Sequence, residues 1–218
     1  MMLRRRGILP LILALFVVSL VVVNAAVFAY RWMLVNIEVK SPDQASGAAC
    51  TGFYSKSDQA GIPLPNAGTN YGAITFGSNH ITVTPGNVVC QFDSYKLFES
   101  ISVSMTITNG SWYIKDLYGF GYYGTTGAPS RVYVWVKVEQ AVSGVNYAEL
   151  ILYNASNDPR EIIELMRVDL TTTGTVGPIT LNLSQALQLD LNISVSNTGT
   201  YNFKVGFYVS QQSAEKPR

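Results

Sequence analysis

The sequence predicts an all-β chain, an antiparallel β-sandwich preceded by an N-terminal hydrophobic signal or helix. Three observations lead there. Four stretches alternate apolar and polar residues with period two, the pattern of half-buried strands. Turn residues punctuate them at short intervals. A long uninterrupted apolar run stands at the start of the chain, directly behind three arginines.

That N-terminal run comes first. Arg4, Arg5 and Arg6 precede an uncharged stretch from Gly7 to Tyr30. Positive residues followed by an apolar run are what export machinery reads. Three readings are open. Residues 1–29 form a cleaved signal peptide, with small residues suited to cleavage after Ala25 or Ala29. Alternatively the run is a retained membrane anchor, since about 20 apolar residues span a bilayer. Or it is the helix of a type IV-like pilin, cut after Gly7 in Arg6-Gly7-Ile8-Leu9-Pro10. All three place the rest of the chain outside the cytoplasm. They leave a membrane contact only through residues 8–30, and only if these are uncleaved.

Residues 30–40 follow. Met33, Val35, Ile37 and Val39 alternate with Leu34, Asn36, Glu38 and Lys40. This is a strand pattern, and Ser41-Pro42 separates it from the body. A strand so placed either packs in its own domain or adds to the sheet of a neighbour, where main-chain hydrogen bonds and alternate side-chain pockets hold it. Head-to-tail exchange of that kind does not close, so it builds a filament.

The body, residues 41–218, reads as one sandwich. Residues 41–72 are rich in Gly, Ala, Ser, Pro and Asn and are expected to form a long loop. The alternating strands cover 101–107, 132–138, 187–195 and 201–209. Turns are expected at Pro85-Gly86-Asn87, Asn109-Gly110, Asn154–Pro159, Gly174–Pro178 and Asn197-Thr198-Gly199. Residues 161–170 read as a strand in preference to a helical turn. Tyr118-Gly-Phe-Gly-Tyr-Tyr-Gly124 reads as a glycine-loosened strand and turn, or else as an aromatic contact between subunits, with the first preferred.

Composition limits the function. Among 218 residues, 48% are hydrophobic and 13% charged, and fifteen Lys and Arg stand against fourteen Asp and Glu. So near-neutral a chain carries no general patch for nucleic-acid phosphates. One His and two Cys make a multi-ligand zinc site unexpected. There is no His-Glu-x-x-His, Gly-x-Ser-x-Gly or phosphate-cradling loop. His80 falls in a strand pattern, and Asp158, Glu161 and Glu164 suit a solvated turn and strand edge. No catalytic or metal residue and no cofactor is assigned. Cys50 and Cys90 are the two cysteines, and in an exported chain they are expected to form a disulfide. Asn109, Asn154, Asn182 and Asn192 each begin an Asn-x-Ser sequon and are candidate N-glycosylation sites. Asn192 is expected on the polar face of its strand.

Thr84-Pro85-Gly86-Asn87, then Phe92, then Thr108-Asn109-Gly110-Ser111-Trp112-Tyr113-Ile114-Lys115-Asp116 resembles the TasA/camelysin family of biofilm matrix fibre proteins, to which archaeal bundling pilins are similar. The resemblance spans roughly residues 84–118 and the general layout of signal, tail and sandwich. It implies a jelly-roll-like sandwich, export by a cleaved signal peptide, and polymerisation through an N-terminal donor strand, here Met33 to Lys40. A peptidase activity considered for camelysin does not carry over, because the zinc ligands are missing. The resulting expectation is a secreted structural subunit of an extracellular, cell-surface pilus or biofilm fibre. Its partner is a second copy of itself, with neighbouring filaments where fibres bundle. A type IV-like pilin and a membrane-anchored surface-binding module are the alternatives.

Overall fold

The computed structural model describes residues 49–70, 74–76 and 79–217, and for 74–76 the backbone alone. The readings placed on residues 1–29 and 30–40 lie outside the described residues.

Thirteen strands run through them: β1 (Ala49–Tyr54), β2 (Ile74–Phe76), β3 (Asn79–Pro85), β4 (Val88–Phe92), β5 (Tyr95–Phe98), β6 (Ile101–Thr106), β7 (Gly110–Gly124), β8 (Arg131–Gln140), β9 (Tyr147–Asn154), β10 (Glu164–Asp169), β11 (Gly174–Asn182), β12 (Ala186–Val195) and β13 (Lys204–Ser210). They form a seven-stranded sheet, β10-β9-β12-β7-β1-β5-β4, and two three-stranded sheets, β11-β8-β13 and β2-β3-β6. Each paired neighbour is antiparallel. The fold is therefore all-β and sandwich-like, as the alternation predicts.

One apolar core unites the three sheets. Phe53, Tyr118, Phe120 and Leu187 come from the large sheet, Val132, Val134 and Val136 from β8, and Ile81 and Val83 from β3. Each such side chain contributes about 1.5–3 kcal/mol on burial. Phe53 and Tyr54 are successive in β1, so they point to opposite faces. Tyr54 enters a second apolar cluster with Ile62, Leu64, Ala67 and Leu97. The large sheet is thus covered on both sides around β1 and β7, by the small sheets on one face and by residues 55–70 on the other.

The segment 118–124 makes this double cover possible. Its aromatic residues Tyr118, Phe120 and Tyr122 turn into the main core. Its glycines turn outward, beneath the 55–70 loop. A Cβ on Gly119 would lie 2.6 Å from the Tyr54 ring and 2.9 Å from the Ala67 methyl, and one on Gly121 would lie 2.6 Å from Leu64. The segment is a buried strand, not a surface patch.

Four local expectations change. The loop expected over 41–72 contains β1, a strand paired to β7 from Ala49↔Gly124 to Tyr54↔Gly119. Its Gly52 hides the strand pattern, yet that glycine is where Leu97 packs, with Cβ positions 2.9 Å apart. Gly174–Pro178 is not a turn. It begins β11, whose pairing with β8 shifts register between Val176 and Ile179 and so accommodates Gly177-Pro178. The last strand starts at Lys204, although Tyr201 and Phe203 still pack on the core. The outer face of β12 is not solvated either, since Gln188, Asp190 and Ser194 are all buried there. Over 161–170 the chain makes a short 3-10 turn, Pro159–Glu161, before entering β10 as a strand.

Gly119→Val should lower stability by about 1–3 kcal/mol through overpacking beneath the loop. The matched control is Gly174→Ala, where an added Cβ meets nothing within 4 Å. The control is expected within about 0.5 kcal/mol of the parent. Urea unfolding of both variants checks the pair.

Candidate functional site

The layer of small sheets is interrupted. In its middle strands, burial follows the usual pattern. Val132, Val134 and Val136 of β8 are fully buried, and Ile81 and Val83 of β3 are buried too. Between the two sheets the pattern fails. Val205, Phe207 and Val209 of β13 and Ile101, Val103 and Met105 of β6 pack on the core yet stay half-exposed.

These side chains point inward because of their register. Val205, Phe207 and Val209 lie opposite Val138, Val136 and Val134, and Val103 and Met105 lie opposite Val83 and Ile81. Cross-strand partners share a face. Among the described residues, β13 bonds only β8 and β6 bonds only β3.

Connectivity brings these two edges to the same place. Phe207 packs edge-on against Phe53 of β1 at 5.2 Å between ring centres and, with tilted rings, against Phe120 of β7 at 4.9 Å. Thus β13 lies over β7 and β1. Three residues, 107–109, join β6 to the start of β7, so β6 and not β2 is the edge on that side. At the other end of β6 its ribbon with β3 turns into the large sheet. There Gly86 N donates to Ser100 O at 2.8 Å and Glu99 N to Asn87 O at 2.8 Å. The result is a seam with an apolar floor and two open backbone edges. Polar groups hold its β13 side. Lys204 pairs with Glu139 at 2.7 Å, and Tyr208 donates its hydroxyl to the same carboxylate. Both contacts hold the Glu139 carboxyl below its ordinary range, the Lys204 hydrogen bond most.

The opposite face of the large sheet carries a buried polar network. Asp116, held at φ +52°, accepts hydrogen bonds from Gly68 N at 2.6 Å, Thr69 N at 3.0 Å and the Thr69 hydroxyl. Its own N–H donates to Asp190 at 2.8 Å. Asp190 also accepts from Gln188 at 2.8 Å and from the Tyr113 hydroxyl. Local desolvation first, and then the bond to Asp190, push the hydroxyl of the otherwise exposed Tyr113 well above the ordinary tyrosine range. Tyr54 is raised too, by burial first and by the Asp116 charge second. With every carboxylate oxygen occupied by protein donors, this network clips the 55–70 loop to the sheet. Tyr54 OH to Pro65 O at 2.7 Å and Lys56 Nζ to Ile62 O at 2.7 Å close the loop itself.

The residues singled out in the sequence fall as follows. Cys50 and Cys90 are joined, tying the start of β1 to β4 with Cα atoms 6.5 Å apart. Phe92 stacks on Tyr123 beside them, ring centres 3.7 Å apart. Asn109 and Asn182 are exposed at strand ends, whereas Asn154 and Asn192 are half-buried. The Asn154 amide donates to Glu161 O at 2.7 Å, and Ser194 of the Asn192 sequon is buried and accepts from Ser111 at 3.0 Å. His80 is exposed on β3, 2.7 Å from the Thr82 hydroxyl. Asp158 pairs with Arg160 at 2.7 Å and Glu164 with Arg167 at 2.7 Å, so these acids are drawn to separate cations. No three His, Cys, Asp or Glu side chains converge on a metal position among the described residues. Met33, Val35, Ile37 and Val39 lie outside the described residues. Compared with known proteins, the chain matches no family model and no curated sequence.

Two outcomes are expected. Replacing Cys50 and Cys90 with Ala should cost about 4 kcal/mol, the chain-entropy value for a closed loop of this size. Calorimetry with and without reductant reads it on the parent. Asp116→Ala should cost about 1–3 kcal/mol, because buried donors of the 55–70 loop lose their acceptor. Asp116→Asn should cost less, since Asn also tolerates a left-handed backbone. Limited proteolysis should cut Asp116→Ala first within 55–70.

Proposed function

We propose that the chain is a non-enzymatic structural subunit of an extracellular fibre, polymerised by donor-strand complementation. Its sandwich is jelly-roll-like, and Met33, Val35, Ile37 and Val39 of one subunit fill the seam of the next. The observation that carries this reading is the half-exposed inward face shared by β6 and β13. Two strand edges that flank an apolar floor, and that bond no further strand among the described residues, invite one more. Residues 30–40 carry the matching sequence pattern: Met33, Val35, Ile37 and Val39 at alternate positions, with Ser41-Pro42 after them. The similarity of residues 84–118 to the TasA/camelysin family supports the same arrangement. Secretion with removal of residues 1–29 fits it, as does the Cys50–Cys90 disulfide, a bond favoured outside the cytoplasm.

The chemistry elsewhere fits a structural role. The buried carboxylates Asp116 and Asp190 are spent on holding a loop. The outermost strand β10 carries Arg167 between Glu164 and Glu149, at 2.7 and 3.0 Å, which guards a free edge more than it stabilises. Assembly is then directed to the seam.

Ile37→Asp tests the proposal. A carboxylate on the apolar floor costs several kcal/mol. Subunits carrying it should be secreted and folded, with normal circular dichroism, yet form no fibres by electron microscopy. Deletion of residues 30–40 should act the same way. Normal fibres from Ile37→Asp, or a mature N-terminus at Ile8, would replace this reading with assembly through an N-terminal helix.

A further inference from the structure

The seam has a direction. Let the upper end of the sandwich be where β7 finishes, at Gly124. Then β1 starts there, because Ala49 lies opposite Gly124. The described body therefore begins at the upper end. β8 starts at the upper end as well, six residues (125–130) after β7 finishes, and runs downward. β13 is antiparallel to β8, so it runs upward, with Lys204 low and Ser210 high. β6 finishes three residues before β7 begins, hence at the lower end, and runs downward. The two edges of the seam are antiparallel to each other. Any strand bonded to both must be antiparallel to one and parallel to the other.

We propose that the segment Met33–Lys40 of one subunit lies in its neighbour's seam antiparallel to β13 and parallel to β6. This rests on the donor-strand reading and adds the polarity of the fibre. A downward strand releases residue 40 at the lower end of the accepting subunit. The donor's body then begins at its own upper end, directly beneath. Residues 41–48 need only cross the junction, well within their reach of on the order of 30 Å. Every subunit keeps one orientation, and the repeat propagates. An upward strand releases residue 40 at the upper end, where the acceptor's own tether already attaches. A head-to-tail neighbour would then sit a full sandwich length from its strand. The upward polarity instead suits a strand that returns to its own seam, since it leaves and re-enters at one end. Exchange between subunits and return within one subunit thus differ in strand direction.

Cysteine pairs read that direction. With Val35, Ile37 and Val39 turned inward, Leu34 and Glu38 face outward, level with the outward residues of β13. In the downward polarity, with Ile37 set opposite Val205 and Val35 opposite Phe207, Glu38 lies near Lys204 and Leu34 near Tyr208. In the upward polarity Glu38 lies near Tyr208. Fibres of full-length Glu38→Cys/Lys204→Cys and Leu34→Cys/Tyr208→Cys subunits, mildly oxidised, should give a ladder of covalent multimers on non-reducing gels. Glu38→Cys/Tyr208→Cys fibres should give none. A ladder from the last pair alone would overturn the polarity and keep strand exchange. Cross-linked monomers alone, or fibres in which none of the three pairs links, would overturn strand exchange itself, and the polarity with it.

Discussion

A strand edge carries a row of amide and carbonyl groups, and folding must pair them, cover them or leave them to water. That requirement governs this molecule more than any single side chain. The large sheet meets it by pairing the fifteen-residue β7 with β12 over Gly110–Ile114 and Tyr118–Gly121 and with β1 over Gly119–Gly124. It closes its outer edge with charge at Arg167. The second layer ends in the middle, at β6 and β13, above an aromatic floor formed by Phe53, Phe120 and Phe207. The apolar side chains there are spaced for a sheet interior and yet half-exposed. A strand added between them would bury that floor and pair both edges at once.

The rest of the architecture makes the subunit rigid around that opening. Tyr118, Phe120 and Tyr122 fill the core from β7, while Gly119 and Gly121 let the 55–70 loop seal the other face. Asp116 and Asp190 hold the loop by accepting backbone and side-chain hydrogen bonds, an arrangement that stabilises only while every acceptor is occupied. The disulfide fixes β1 to β4 one residue beyond Ala49. Ala49, where the described body begins, is therefore braced on one side by the disulfide to Cys90 and on the other by pairing to β7.

Much of the fold was legible in the sequence. Alternation at 101–107, 132–138 and 187–195 marks strands correctly, because most of those strands bury one face in the common core. The even pair of cysteines is joined. The failures have physical causes. β1 carries Gly52 and small residues because Leu97 packs on it, so composition suggests a loop. Gly177 and Pro178 look like a turn because the strand absorbs them by a register shift. Asp116, Gln188 and Asp190 occupy polar positions of alternating strands, and pattern alone assigns such positions to solvent. Only the packing of the 55–70 loop shows that they are buried. The seam is the least legible feature. β6 and β13 read as ordinary strands, and nothing local distinguishes an edge from a centre, since that depends on which strands meet in space.

Helical reconstruction of native fibres by electron cryomicroscopy, at a resolution that separates strands, tests the central claim most directly. The account expects one extra strand in every seam, bonded to β6 and β13, with density continuous through residues 41–48 to Ala49 of the adjacent subunit. It expects no packed helices along the fibre axis. A fibre core built of residues 8–30 as bundled helices, with the seam empty or with β6 and β13 paired to each other, would contradict it.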